Sequence, residues 1–268
     1  MISVVLATHN EQLNIKRCLE AVKAWADEII VVDGNSTDDT REIAQELGAK
    51  VINTTNKLNF HINKQLAMDQ AKGDVVLQLD ADEVIDEELA GFIRKIHTQI
   101  LKRKSHQDVP VAWWLKRKNL FMGHFFTKTG QYPDPVIRLY VNGHAKLPQK
   151  DVHEQMEVDG KIGWAEGHLI HYANPSFTDY MRKWNAYTSF QAQKLFESKT
   201  SINFTNSFRY LIWLPKKTFF LLFIRHKGFV DKVPGFVFSL MSGLYHSMSY
   251  LKLWELYQQQ SAHQPTTK

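Results

Sequence analysis

Three carboxylates occupy four positions in the stretch LQLDADE, residues 77–83, directly after an apolar run. Asp80 and Asp82 are separated by one residue, and in an extended chain such side chains project to the same side. Carboxylate oxygens are the ligands that hard divalent ions such as Mg²⁺ and Mn²⁺ prefer. Without a cation, two charges about 4 Å apart repel by roughly 4 kcal/mol at an effective dielectric constant near 20. The spacing therefore favours a cation site, although these acids could also cap the next helix, as Asp86 or Glu87 could.

The segments before these acids alternate between short apolar runs and amphipathic stretches. ISVVLAT, EIIVVD, KVIN and DVVLQLD are predicted strands, and helical spacing fills the intervals between them. Asn10 and Ser36 are predicted N-caps, while Gly48 and Gly73 are predicted to follow the second and third helices. This alternation predicts βαβ units and a parallel sheet. Because ligands of such sheets bind at the carboxyl ends of the strands, LDADE and Asp33 fall on the edge where a ligand is expected.

The pattern changes after residue 100. Residues 101–108 are predicted to form an exposed linker, residues 109–172 contain strand-like segments broken by Gly, Pro, Asn and Asp, and the chain from 175 onward is predicted to be helical. The predicted divisions are residues 1–100 and 101–174 as two halves of one domain, 175–257 as a helical extension and 258–268 as a disordered tail.

Composition is that of an ordinary globular protein. Hydrophobic residues make up 44% and charged residues 23% of the 268 residues, which argues against a disordered chain. Cys18 is the single cysteine, so no disulfide can form within the chain. The first residues lack the basic and apolar regions of a secretory signal. A reducing, cytoplasmic compartment is therefore expected.

Positive charge and aromatic residues are concentrated near the C-terminus. Residues 208–256 contain seven Lys or Arg, two acids and 12 of the 32 aromatic residues. No 18-residue apolar span occurs there, because Pro215 and the basic residues interrupt it, so this segment should not cross a bilayer. It is predicted either to pack on the rest of the protein or to lie on a membrane surface. Nucleic acid is not expected as a partner, since the cations alternate with bulky aliphatic residues.

Several familiar sites are excluded by their missing residues. The turn after the first predicted strand is ATHNEQ, which lacks both a dinucleotide-binding GxGxxG and the glycine-rich loop of a sugar-phosphate nucleotidyltransferase. No GxxxxGK[ST] phosphate loop is present. HEQME begins like a zinc-protease motif but has no second histidine.

The motifs VVLATHNE, VVDGNSTDDT and GDVVLQLDADE occur in an order and at a spacing that resemble the inverting glycosyltransferase family 2. The resemblance implies a GT-A fold, which is an α/β fold with a Rossmann-like, mostly parallel sheet and flanking helices. It assigns the nucleoside to Thr8 and Glu11, the uracil or ribose to Asp33, the ribose to Asp80 and the metal to Asp82. NFHINKQLAMDQAKGD resembles the family helix whose basic residue approaches the nucleotide, which implicates Lys64, although Lys64 could equally lie on a solvated helix face.

The second half is similar to the lipopolysaccharide-core β-glycosyltransferases that glucosylate an inner-core heptose. The matching segments are KRKNLFMG, YPDPVIRLY, DVHEQM and HLIHYANPSFTDYMRKWNAY. By this likeness Glu154 is the catalytic base, His171 completes the metal site and Arg138 faces the phosphates or the acceptor. Glu154 could instead be a surface acid, and His171 a hydrogen-bonded core histidine.

The function that this resemblance implies is a metal-dependent transferase using Mg²⁺ or Mn²⁺. It would move a sugar, glucose, from a UDP-sugar to a glycolipid or saccharide acceptor by a single displacement. The helical extension would associate with the inner leaflet of the cytoplasmic membrane. The alternatives are a transferase of the same fold that acts on another polysaccharide or lipid-linked acceptor, a degenerate scaffold, and a non-catalytic protein that binds nucleic acid or membranes.

Overall fold

A computed structural model describes residues 1–57, 59–102, 109–149 and 155–262. The chain divides into two compact units. Unit 1 contains residues 1–118 and 134–172, and unit 2 contains residues 119–133 and 173–268. The predicted boundary at residue 100 stays a prediction, and residues 103–108 of the predicted linker lie outside the described residues. The prediction of a disordered tail over 258–268 was wrong for residues 258–262, which belong to the last helix.

Unit 1 begins with four parallel strands, as the alternating pattern predicted. Neighbours pair in the order β3-β2-β1-β4, and every pairing is parallel. Residues Thr8 and Asp33 are register partners at the carboxyl ends of two adjacent strands. The strands are β1 (Ile2–Thr8), β2 (Glu28–Asp33), β3 (Lys50–Asn53) and β4 (Val75–Leu79).

Four helices cover both faces of this sheet. They are α1 (Ile15–Lys23), α2 (Thr40–Glu46), α3 (Phe60–Asp69) and α4 (Glu87–Leu101). Successive side chains of a strand point to opposite faces. Accordingly Val4 and Leu6 pack with α1, α2 and α4, whereas Val5 packs with Ala67 and Met68 of α3. The near-continuous apolar runs of the strands therefore serve two separate cores.

The predicted N-caps were wrong for the first two helices. Helix α1 begins after Asn14 and α2 begins after Asp39, several residues beyond Asn10 and Ser36. Asn10 has a left-handed backbone, its amide donates to Ser36 Oγ at 2.8 Å, and its side chain accepts the amide of Thr37 at 2.8 Å. The two residues join the loops after β1 and β2 to each other, so their side chains are not available to cap helices.

The remaining strands make the sheet mixed. Strand β8 pairs antiparallel with β4 and β6, and β5 pairs antiparallel with β11, giving the order β3-β2-β1-β4-β8-β6-β11-β5. A separate pair is formed by β9 and β10. These strands are β5 (Glu83–Ile85), β6 (Pro110–Phe121), β7 (His124–Phe125, paired with β6), β8 (Asp134–Val141), β9 (Ala145–Lys146), β10 (Glu157–Val158) and β11 (Lys161–Asn174).

Unit 2 is mostly helical, as predicted from residue 175 onward. Its core contains Phe121, Phe126, Tyr180 and Trp184, with a second cluster around Leu195. Among the described residues, no helix is both long and apolar enough to cross a bilayer. The helices are α5 (Phe177–Glu197), α6 (Phe204–Phe208), a π-helical turn (Arg209–Trp213), α7 (Leu214–Phe220), a second π-helical turn (Leu221–Arg225), a 3₁₀ turn (Gly228–Asp231) and α8 (Lys232–Ala262).

Candidate active site

The chain turns sharply where β4 ends. The amide of Glu83 donates to the carbonyl of Asp80 at 2.9 Å, which closes a turn over residues 80–83 before β5 begins. The expectation that Asp80 and Asp82 share one side of an extended chain was therefore wrong. Their carboxylates instead have different partners. The following helix is capped by Asp86, whose Oδ1 accepts the amide of Leu89 at 2.9 Å, so neither aspartate of the turn serves as that cap.

Asp80 is held by two cations. Lys64 Nζ lies 2.5 Å from Asp80 Oδ1, and Arg138 Nη2 lies 2.5 Å from Asp80 Oδ2. Burial alone raises the pKa of the Asp80 carboxyl, but Arg138 and Lys64 outweigh it and hold that pKa well below its usual range. Asp80 is consequently a carboxylate at any physiological pH. Lys64 is not on a solvated helix face, since α3 turns its side chain into the buried side of the unit.

Arg138 is the centre of this network. It comes from β8, which lies beside β4, and its Nη1 donates to the side-chain oxygen of the fully buried Gln78. Gln78 also donates to Asp80 Oδ1 at 3.2 Å. The Nε of Arg138 is buried and has no hydrogen-bond partner among the described residues. Buried donors without an acceptor are uncommon in native proteins.

Glu83 supports the turn from the protein interior, a role that the sequence analysis did not predict. Its carboxylate is fully buried, and it accepts the Asp80 amide at 3.0 Å and Arg138 Nη2 at 3.3 Å. Arg117 of β6 lies 3.4 Å from the same carboxylate and donates to Asp134 at 2.6 Å. A third acid immediately after an Asp-x-Asp pair, at a position where the strand pattern resumes, was the available sequence signal for such a brace.

Asp82 lies next to His171. Strand β11 pairs antiparallel with β5 so that His171 is opposite Glu83, and the Tyr172 amide donates to the Asp82 carbonyl at 2.9 Å. The pairing brings His171 Nε2 to 3.4 Å from Asp82 Oδ2, and both side chains are partly open to solvent. One carboxylate oxygen and one imidazole nitrogen at this separation fit two neighbouring ligands of a divalent ion. The donor types and their access to solvent are therefore suited to Mg²⁺ or Mn²⁺.

The loops after β1 and β2 contain the residues assigned to the nucleoside. Asp33 is fully buried, and its carboxylate accepts the Ser36 amide at 2.8 Å and the Thr8 hydroxyl at 3.1 Å. Glu11 accepts the Asn14 side chain at 2.8 Å. The buried Asp33 carboxylate therefore holds the loops after β1 and β2 by hydrogen bonds. The assignments of Thr8, Glu11 and Asp33 to base or ribose stay predictions.

The first 156 residues also match a known family. The model of glycosyl transferase family 2 matches residues 3–156. An uncharacterized glycosyltransferase of Rickettsia typhi is 32% identical over 264 residues, which cover 95% of this chain and 87% of that protein. The chain belongs to glycosyl transferase family 2. The α/β fold of GT-A type with a C-terminal helical segment is thereby confirmed, and the protein is a transferase.

Other members of the comparison are more distant from this transferase. A low-salt glycan biosynthesis hexosyltransferase of Haloferax volcanii is 28% identical over 169 residues, which cover 61% of this chain and 39% of that protein. Among solved structures, glucosyl-3-phosphoglycerate synthase of Mycobacterium tuberculosis, in complex with Mn²⁺, UDP and its product, is 22% identical with a TM-score of 0.34. The similarity covers 46% of this chain and 44% of that chain.

Two further residue sets remain to be placed relative to the candidate site. Glu154, the predicted base, lies outside the described residues. Asp86, Glu88 and His168 place one ligand atom each within 4.8 Å of one another, a group of three that the sequence did not predict. Both oxygens of Asp86 already accept hydrogen bonds, from Leu89 and from the backbone and ring of His168. That group is therefore explained by the capping of α4.

Proposed function

We propose that this family 2 transferase moves glucose from UDP-glucose to a glycolipid such as the inner core of lipopolysaccharide, with inversion at the anomeric carbon. The observation that carries the proposal is the Asp80 turn, on which buried Lys64 and Arg138 converge beside the Asp82–His171 pair. This arrangement stands at the carboxyl end of a central parallel strand, where ligands of such sheets bind.

The charge balance of the network supports the proposal that the reaction uses a metal ion. Among the described residues, Asp80, Glu83 and Asp134 are paired with Lys64, Arg138 and Arg117, which gives three carboxylates and three cations. Such a network is neutral, so it offers no net positive charge to a diphosphate. A divalent ion held by Asp82 and His171 would supply that charge and stabilise the departing diphosphate. The lysine and arginine side chains of the network would then orient the donor.

The proposed reaction is a single displacement at the anomeric carbon of the donor sugar. The acceptor hydroxyl oxygen forms a bond to the anomeric carbon, while the bond from that carbon to the diphosphate oxygen breaks and its electron pair leaves with UDP. The hydroxyl proton passes to the carboxylate of Glu154. A base so placed contributes about 10²–10⁴-fold to the rate. Arg138, with its buried Nε still lacking an acceptor among the described residues, would turn toward a phosphate oxygen as the donor binds.

A donor and acceptor panel tests the proposal. The full chain is incubated with UDP-glucose, UDP-galactose and UDP-N-acetylglucosamine, with Mn²⁺ or Mg²⁺, and UDP release is measured with and without truncated lipopolysaccharides. We expect UDP release from UDP-glucose that depends on an inner-core acceptor. Release with another lipid-linked acceptor alone would replace the proposed acceptor, and failure of all donors to react or to bind would overturn the proposal.

A further inference from the structure

Residues 204–233, here called the docking segment, run from the start of α6 through the 3₁₀ turn to the first two residues of α8 in unit 2. Its helical part runs through α6, the first π-helical turn, α7 and the second π-helical turn, and it packs along α8. Tyr210 stacks on Tyr250 with ring centroids 5.0 Å apart, and Thr218 Oγ1 lies 3.0 Å from His246 Nε2. The approach is close enough that a Cβ at Gly243 would lie 2.7 Å from the Pro215 carbonyl oxygen.

Phe219 and Phe223 also belong to this inner side. Their rings lie 5.8 Å and 5.7 Å from the ring of Phe236, and both side chains are partly buried. One side of the segment therefore packs on α8.

The outer side of the docking segment is apolar and exposed. Trp213 is 56%, Phe220 58% and Ile224 54% exposed, and they follow one another at helical spacing on the side away from α8. Isolated exposed apolar residues are normal, but a contiguous patch of large ones marks an interaction surface. The other large apolar residues exposed in the segment are Phe204, Phe208, Leu211, Ile212, Leu221, Phe229, Val230 and Val233.

All exposed charge on the docking segment is positive. Its six Lys and Arg side chains are exposed, and they are Arg209, Lys216, Lys217, Arg225, Lys227 and Lys232. The one acid between residues 204 and 233, all of which are described, is Asp231, and it is fully buried. Its carboxylate accepts from Thr127, Lys128 and Thr129 and contacts His124. No negative charge therefore offsets the cations at the surface.

We propose that the docking segment lies flat on an anionic lipid bilayer, with its apolar side chains in the acyl boundary and its cations at the headgroups. Interleaved basic and large apolar residues are what an interfacial helix presents. A second copy of the chain fits less well, because a two-fold contact would bring the same six cations of each copy together. This inference goes beyond the proposed function, since it concerns a surface of unit 2 and holds for any acceptor.

Vesicle flotation of the full chain tests the inference. The probes are vesicles of phosphatidylcholine alone and of phosphatidylcholine mixed with phosphatidylglycerol. We expect the wild-type chain to float with the anionic vesicles, less strongly as salt rises. In the charge variant Lys216, Lys217, Arg225 and Lys227 are replaced with Gln. We expect its partition coefficient to fall on the order of 10²–10³-fold, because each cation near such a surface contributes about fivefold.

A second variant separates apolar insertion from charge. Replacing Trp213, Phe220 and Ile224 with Ser should release the chain even at low salt, because the loss of buried apolar area is not compensated by the cations. The side chains of these three residues point away from α8, so the circular dichroism spectrum and the UDP affinity should be unchanged. Phe219 and Phe223 are left intact because they pack on α8.

Matched controls come from unit 1. One control replaces the exposed residues Lys16, Lys23, Lys50 and Lys72 with Gln, and the other replaces exposed Leu13 and Trp164 with Ser. Both controls should float as the wild type does. The inference is overturned if the wild type fails to float, if both docking variants float fully, or if the wild type is a dimer that the apolar variant dissociates. Binding to RNA at about 200 mM salt in place of vesicles would also overturn it.

Discussion

Two carboxylates, one in each unit, are stabilised as anions by different kinds of partner. Asp80 is paired with Lys64 and Arg138, which are charged and belong to other elements of unit 1. Asp231 is surrounded by neutral donors on the 127–129 loop, in addition to His124. For Asp231, burial alone raises the pKa of the carboxyl, but hydrogen bonds from Thr129 and Thr127 outweigh it and hold the pKa below its ordinary value.

The difference shows which of the two carboxylates has partners that can also bind a ligand. Hydroxyl and amide donors are directional and satisfy the lone pairs of Asp231, so that carboxylate fixes the loop of residues 127–129 to the start of α8. Cations attract any nearby anion, so Lys64 and Arg138 can turn from Asp80 toward a phosphate. Changes at the sheet edge should therefore reduce activity, and a change at Asp231 should reduce stability. The following experiments test this contrast.

Glu154→Gln should cause the largest loss. Transfer should fall by about 10²–10⁴-fold, because a neutral amide cannot take the acceptor proton, while UDP affinity measured by calorimetry stays unchanged. Glu157→Gln, an exposed position three residues later, is the matched control and should keep full activity. Lost UDP affinity with transfer preserved at saturating donor would make Glu154 a donor contact, and Asp151 and Glu166 would then be tested as the base.

Asp82→Asn should reduce UDP-sugar turnover by about 100-fold or more. The substitution preserves shape but removes the charge that attracts the divalent ion, so the melting temperature should be unchanged. Asp159→Asn, at an exposed aspartate, serves as the control. Activity that survives both Asp82→Asn and treatment with EDTA would refute the metal assignment.

Lys64→Gln should weaken UDP binding by roughly 10–100-fold, which corresponds to the 1.5–3 kcal/mol that hydrogen bonds to charged groups contribute. Calorimetry at two salt concentrations measures the effect, and the variant should show a shallower dependence on salt. Lys72→Gln removes an exposed cation of the same unit and should have no effect. Unchanged affinity in Lys64→Gln would mean that this lysine serves only Asp80.

Asp231→Asn should lower the free energy of unfolding by about 1–3 kcal/mol, because the amide NH₂ would face donors that lose their acceptor. Urea denaturation followed by tryptophan fluorescence measures it, and UDP affinity should be unchanged. Glu255→Gln, at an exposed acid of α8, is the control. Loss of UDP binding in folded Asp231→Asn would contradict the assignment of this carboxylate to structure alone.

Acid should destabilise the wild type more than it destabilises the Asp231→Asn variant. This is the smallest of the expected effects. A carboxyl whose pKa is lowered on folding contributes stability above its unfolded value of about 3.9. That contribution is lost progressively as the pH falls below this value, because the unfolded chain then binds the proton first. Urea midpoints at pH 5 and pH 3 should therefore fall more steeply for the wild type. The variant should keep part of the slope, because Asp80 remains.

Much of the fold was predictable because the signals that define it are local. Apolar runs and helical spacing over a few residues identified the four parallel strands and the helices between them. Helix ends were predicted less well. Asn10 and Ser36 are good capping residues, but the two loops that contain them hydrogen-bond to each other although they lie far apart in the sequence. Local propensity decides a cap only when no tertiary partner competes for the same side chain.

The sequence by itself determined which residues carry charge at the ends of the strands, because the end of an apolar run is visible without the fold. The tertiary structure alone decided which of those charges meet. The β8 and β11 strands pair across long sequence separations, and only those pairings bring Arg138 to Asp80 and His171 to Asp82. The buried place of Lys64 likewise follows from how α3 packs on the sheet, which its own sequence leaves open. The sequence specifies the residue types, whereas tertiary packing sets the distances between residues that are far apart in the sequence.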